Sequence, residues 1–104
     1  MEKYEFIIAS QERVDALTAL LRDEVLPGLG LFLRGAAARD LNEGKDWARY
    51  NVFEGVVQKG QFNFDLGNRV YQCSVENRGL NQEAYEHIVR TVQARFPETN
   101  PDNF

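Results

Sequence analysis

His87 and Cys73 are the only histidine and the only cysteine in the 104-residue chain. They are therefore the first places to look for acid–base or nucleophilic chemistry. A catalytic imidazole needs a partner that orients it and a pocket that holds substrate. His87 falls between Glu86 and Ile88, off the apolar stripe of its helix, where a solvated surface side chain is the plain expectation. Cys73 sits in the middle of a strand pattern, on the side that also collects aromatics. A buried thiol there acts as a small apolar group, whereas a reactive thiolate needs an exposed, electropositive setting. Cysteine and histidine occur with no zinc spacing.

The glycines and acids are equally unspecific. Gly28-Leu-Gly30 follows a helix, but a dinucleotide loop follows a strand and opens a helix. Gly35-Ala-Ala-Ala-Arg lacks the Lys-Ser/Thr of a phosphate loop. Asp40, Glu43 and Asp46 share one connector but miss the calcium-loop order. No cofactor and no metal is expected, and no motif is specific enough to name a family.

The elements that would position any site are easier to read. Tyr4, Phe6 and Ile8 alternate within a strand covering residues 3–9. Ser10 offers an N-cap hydroxyl, and Val14, Leu17, Leu21 and Val25 recur at helical spacing until Pro27-Gly28. Residues 29–35 read as a short buried strand followed by a short helical turn, or else as the start of a helix that continues through 36–41. Failing core burial, Leu31, Phe32 and Leu33 would form an apolar projection suited to a homodimer. A turn-rich connector, 42–46, precedes three strands at 47–57, 61–66 and 69–76. Asn81 caps a last helix whose stripe is Tyr85, Ile88, Val89, Val92 and Phe96, ended by Pro97. Residues 1–97 thus read as one α+β domain, with 98–104 a frayed tail. The expected fold is a two-layer sandwich: an antiparallel sheet of four or five strands, including a three-strand meander in the C-terminal half, covered on one face by two helices.

If Lys59-Gly60 and Gly67-Asn68 are two-residue hairpin turns, Phe53 and Val57 join Phe62, Phe64, Leu66, Tyr71, Cys73 and Val75 on one face. The opposite face then carries Tyr50, Val52, Glu54, Asn63, Asp65 and Gln72, with Glu54 and Asp65 as cross-strand neighbours. Like charges directly opposite each other destabilise a sheet slightly, and a Lys or Arg from a partner would neutralise them.

Charge narrows the function further. The net charge is −4 and the twelve basic residues are scattered. That disfavours phosphate-backbone binding, including through Arg34 and Arg39. No stretch has the roughly 20 apolar residues of a membrane span. Residues 1–5 lack the basic-then-apolar order of a secretory signal, and an unpaired cysteine suits a reducing compartment. A cytoplasmic location follows as the expectation. The leading functional expectation is a small acidic protein-binding module, an inhibitor, immunity-type antagonist or adaptor, that occludes a partner protein bearing a basic surface. The alternative is a dimeric small-molecule-binding or enzymatic domain. Its pocket would lie between helices and sheet near Trp47, Arg49, Tyr50, Tyr71 and His87.

Overall fold

Ser10 begins the first helix as its chemistry requires. It is extended (φ −135°, ψ 154°), and its Oγ accepts the Arg13 N–H at 3.2 Å. The computed structural model describes residues 2–41 and 44–100, with side chains described outside 36–46. Helix α1 (Gln11–Leu20) runs into a π-helical turn (Leu21–Val25) and a last α-helical turn, α2 (Leu26–Gly28). The π turn inserts an extra residue into the helical repeat. Leu21, Val25 and Leu26 are all buried as the segment passes through it.

Termination occurs two residues beyond Pro27-Gly28, the stop expected from sequence. Gly30 takes φ +73°, its N–H reaches the Pro27 carbonyl at 3.1 Å, and the Leu31 N–H reaches that of Leu26 at 2.9 Å. This pair of bonds is a Schellman cap, and its usual hydrophobic contact is supplied here by the buried Leu26 and Leu31.

Five strands follow the order β1-β5-β4-β3-β2, all antiparallel: β1 (Lys3–Ile8), β2 (Phe32–Leu41), β3 (Gly44–Glu54), β4 (Val57–Leu66) and β5 (Tyr71–Asn77). Strands β3 to β5 form the expected meander, and β2 extends it by one more hairpin. Strand β1 joins the free edge of β5, so the first helical segment carries the chain from one sheet edge to the other. The helical turn expected after residue 35 is absent, as is the alternative helix from residue 29. Alanines 36–38 instead continue β2, with a bulge between Gly35 and Ala37. Gly44, Lys45 and Asp46, placed in the expected connector, begin β3; residues 42 and 43 lie outside the described residues.

Helix α3 (Gln82–Arg95) is capped by Asn81, whose Oδ1 accepts the Ala84 N–H at 2.8 Å. Its stripe, Tyr85, Ile88, Val92 and Phe96, is buried against the sheet. The Tyr85 hydroxyl donates to the Val75 carbonyl at 3.0 Å, tying helix to strand. After Pro97 the chain does not fray at once. A 3₁₀ turn (Pro97–Thr99) docks beside β1: Thr99 is fully buried, Tyr4 donates its hydroxyl to the Thr99 carbonyl, and Arg13 pairs with Glu98 at 2.6 Å. Residues 101–104 of the expected tail lie outside the described residues. The molecule is a two-layer α+β sandwich, with helices over one sheet face and the other face uncovered.

The hairpin registers decide which side chains meet the helices. The β3–β4 turn is at Gly55-Val56, where Gly55 has φ +60°, and not at Lys59-Gly60. Tyr50 therefore pairs with Phe62, and Val52 with Gly60. Relative to the expected pairing this is an odd shift, which exchanges the two faces of β3. Ala48, Tyr50 and Val52 face the helices, while Trp47, Arg49, Asn51 and Phe53 face away. Between β4 and β5 the loop spans four residues, with Arg69 at φ +68°, and Phe62 pairs with Val75. That shift is even, so Phe62, Phe64, Tyr71, Cys73 and Val75 keep the expected core face. Leu66 lies at the loop end and is partly exposed.

Candidate functional site

The uncovered sheet face is built by β2 and β3 at one end and by β4, β5 and β1 at the other. At the β2–β3 end, Phe32 and Phe53 pair in register and stack with centroids 5.8 Å apart, inclined by 21°. The Arg34 guanidinium lies 5.4 Å from each ring centroid. Farther along β3, Arg49 lies 5.2 Å over Trp47. It also donates to the Ala48 and Phe64 carbonyls at 3.0 and 3.2 Å and to Asp65 Oδ1 at 3.0 Å.

Hydrogen bonds hold the centre of the face. Asn51 Oδ1 accepts from both Gln58 and Gln61 at 3.0 Å, and Asn63 Nδ2 donates to Ser74 Oγ at 3.3 Å. Asn63 is buried, and its Oδ1 has no partner. Turning the amide over would exchange which atom is left alone, because Ser74 offers one hydroxyl to one side of it.

Of the six residues expected on this face, Asn63, Asp65 and Gln72 are there. Tyr50 and Val52 are not. The register turns them inward, where Val52 is buried and Tyr50 stacks on Phe62 at 6.0 Å. Glu54 ends β3 opposite Val57, whereas Asp65 lies opposite Trp47. Seven residues of strand, about 23 Å, separate those two pairings, so the expected repulsion between Glu54 and Asp65 does not exist. A double-mutant cycle of Glu54→Gln and Asp65→Asn should show coupling within about 0.5 kcal/mol of zero. Asp65→Asn alone should cost up to about 1 kcal/mol through Arg49. Urea titrations of the four proteins measure both quantities, and a coupling above 1 kcal/mol would contradict this register.

Sequence reasoning missed Phe32, Arg34 and Phe53 as a group. The available signal was the alternation Leu31, Phe32, Leu33, Arg34, which places Phe32 and Arg34 on one side of a strand. Placing Phe53 in the core hid their partner.

The other candidates are structural in placement. Cys73 is buried on the core face and paired in register with Phe6 and Phe64. Burial, with a smaller contribution from the Asp65 charge, pushes its thiol up to about 12. In the unfolded chain the thiol ionises near pH 8.5, so the folded state holds its proton to higher pH. The stability this provides is complete below the unfolded value and is lost as pH rises toward 12. The loss should be on the order of 5 kcal/mol over that window. Tyr85, also raised by burial, adds in the same direction. Cys73→Ala should flatten the decline measured by denaturation at pH 8–11, and the native thiol should resist Ellman's reagent until the protein is unfolded. An unchanged slope would remove Cys73 as its source.

His87 is exposed on α3, and Tyr71 is buried in the core. Trp47, Arg49, Tyr50, Tyr71 and His87 do not converge on one cavity. A concavity of about 550 Å³ between β1 and α3 is lined by other residues, among them Glu2, Tyr4, Tyr85 and Val89, and is open to solvent. Among the described residues no group of three or more His, Cys, Asp or Glu side chains is placed to hold a metal ion. No described helix is long and apolar enough to cross a membrane. The side chains of Asp40, Glu43 and Asp46 lie outside the described residues.

An α+β sandwich with one uncovered, aromatic-bearing sheet face is the class that these observations define. Compared with known proteins, the chain matches no family model, no curated protein and no solved structure.

Proposed function

We propose that the chain is a small protein-binding module that covers a site on a partner protein with its uncovered sheet face, acting as an inhibitor, antagonist or adaptor. Binding itself would be the action, by steric and electrostatic occlusion, with no bond made or broken. One observation carries the reading. Two arginine–aromatic groups, Phe32–Arg34–Phe53 and Trp47–Arg49, stand on the face that the helices leave open.

Core packing makes no use of these groups, and their residue types are those enriched where binding energy concentrates. Five strands spaced about 4.8 Å apart and about seven residues long present roughly 24 by 23 Å. With side-chain relief added, that approaches the ~800 Å² that one partner contributes to an ordinary interface. The hydrogen bonds around Asn51, Asn63 and Arg49 fix the side chains in advance, which lowers the entropic cost of association.

The pairing of Glu54 with Asp65 no longer supports a basic partner, and the one carboxylate of the two on this face, Asp65, is already paired with Arg49. The chemistry of the partner must be read from the groups that remain unengaged.

Affinity capture from the native host tests the reading when run with three forms of the protein. The wild type should retain one stoichiometric protein partner. Trp47→Ala combined with Gln72→Arg should lose it, and a helix-layer control, Glu83→Lys, should keep it. A partner lost only with the helix-layer control, or no stoichiometric partner at all, would reject this face as the binding surface.

A further inference from the structure

We infer that Arg34, held over the Phe32 and Phe53 rings, is a receptor for a carboxylate on an acidic, partly apolar segment of the partner protein. The inference rests on the binding-module reading and names the chemistry that this part of the face selects. The two centroids and the guanidinium carbon form a nearly equilateral triangle, with sides of 5.8, 5.4 and 5.4 Å. The cation therefore lies across both rings. Contact with ring faces engages the charge but none of the five N–H donors.

The other described cations on the same face are already engaged. Arg49 is held by Asp65 and two carbonyls, Arg78 by Glu76, and Lys3 by Glu5 and Glu76. Arg34 has no carboxylate partner among the described residues. A planar fork of donors, fixed from behind and open in front, matches a carboxylate in bidentate geometry.

The surroundings supply the apolar half of the recognition. Phe32 is 36% exposed, and beyond Phe53 the hairpin tip presents Val56 and Val57 at 95% and 54% exposure. Exposed valines at a tight turn favour neither solubility nor turn formation. Among the described residues of this face one unengaged cation stands by itself, which suits one carboxylate better than a phosphate backbone, whose binding rewards several cations together. The chain's net charge of −4 opposes a polyanion as well.

The test is a nuclear magnetic resonance titration of the ¹⁵N-labelled full chain, following the Arg34 Nε–Hε signal and the Phe32 and Phe53 amides. Three probes are used: a blocked hexapeptide carrying one Asp among Leu and Ser residues, the same peptide with Asn for Asp, and an oligothymidylate 12-mer. The acidic peptide should shift the three signals saturably, and the Asn peptide should bind at least tenfold more weakly. Arg34→Gln should lose at least tenfold in affinity for the acidic peptide, Arg34→Lys less, and both should keep the wild-type circular dichroism, since Arg34 is exposed. Phe53→Leu, which removes a ring and keeps the bulk, should weaken binding with Arg34 still present. No saturable shift at millimolar peptide, equal binding of the Asn peptide, tighter binding of the oligothymidylate, or indifference to Arg34→Gln would each overturn the inference. A captured partner that binds Arg34→Gln as tightly as wild type would overturn it too, while leaving the binding-module reading intact.

Discussion

Phe62→Ala is expected to destabilise the protein by about 3–5 kcal/mol, the range for truncating a buried aromatic that leaves a cavity. Phe62 has no exposed surface and lies on β4, the middle strand of the sheet. Its ring stacks on Tyr50 at 6.0 Å and tilts against Phe64 at 6.1 Å, and Phe64 meets Tyr71 edge-on at 5.7 Å. Tyr50 also meets Phe64 at 6.3 Å, so losing Phe62 removes one ring from a cluster crossing three strands, none of whose other rings can fill the space without moving its strand. Domains of this size have total stabilities of about 5–15 kcal/mol, so the variant should be marginal or unfolded at 37 °C. Urea denaturation at 15 °C gives the number. A loss below 1 kcal/mol would mean that the ring cluster is not the centre of the core.

Gly60→Ala should also be damaging, although it adds only one methyl group. A Cβ at Gly60 would stand 2.7 Å from the Glu76 carbonyl oxygen, with Leu80 Cδ1 at 3.5 Å and Val52 Cβ at 3.6 Å. The closest of these atoms is backbone of the neighbouring strand, so it cannot rotate away. Overpacking of this kind costs about 1–3 kcal/mol, and the upper end applies here. Reduced freedom of the unfolded chain returns at most about 1 kcal/mol. The net loss of about 2 kcal/mol corresponds to a melting temperature lower by roughly 8–16 °C. Gly28→Ala is the matched control. Nothing lies within 4 Å of its added Cβ, and alanine is the better helix former, so the melting temperature should hold or rise.

Gly60 also explains how far the sequence could be read. A glycine after a lysine, between two alternating runs, looks like a hairpin turn. In the fold it is a strand residue that admits a close neighbouring backbone, the other standard meaning of glycine within a strand. The true turn, Gly55-Val56, contains a β-branched residue that turn chemistry disfavours. Misplacing this turn inverts β3, so two of the six residues expected on the open face, Tyr50 and Val52, lie on the core side. The sheet, its meander, both helix caps and the faces of β4 and β5 were nonetheless legible. Their errors were absent or even-numbered, and an even slip leaves inside and outside unchanged. What could not be read was which aromatics remain outside, because Phe53 and Tyr50 differ only in parity.

The sheet order has a further consequence, for the time course of folding. Strands β2 to β5 are neighbours in both sequence and space, and can zip as successive hairpins. Strand β1 instead pairs with residues more than sixty positions away. Closing so long a loop makes that pairing a late, slow event. During synthesis, Tyr4, Phe6 and Ile8 leave the ribosome before β5 does and wait for it before they can be covered. A strand made well before its partner is thus late to find its place, and until then its apolar side chains are exposed to chaperones and to aggregation.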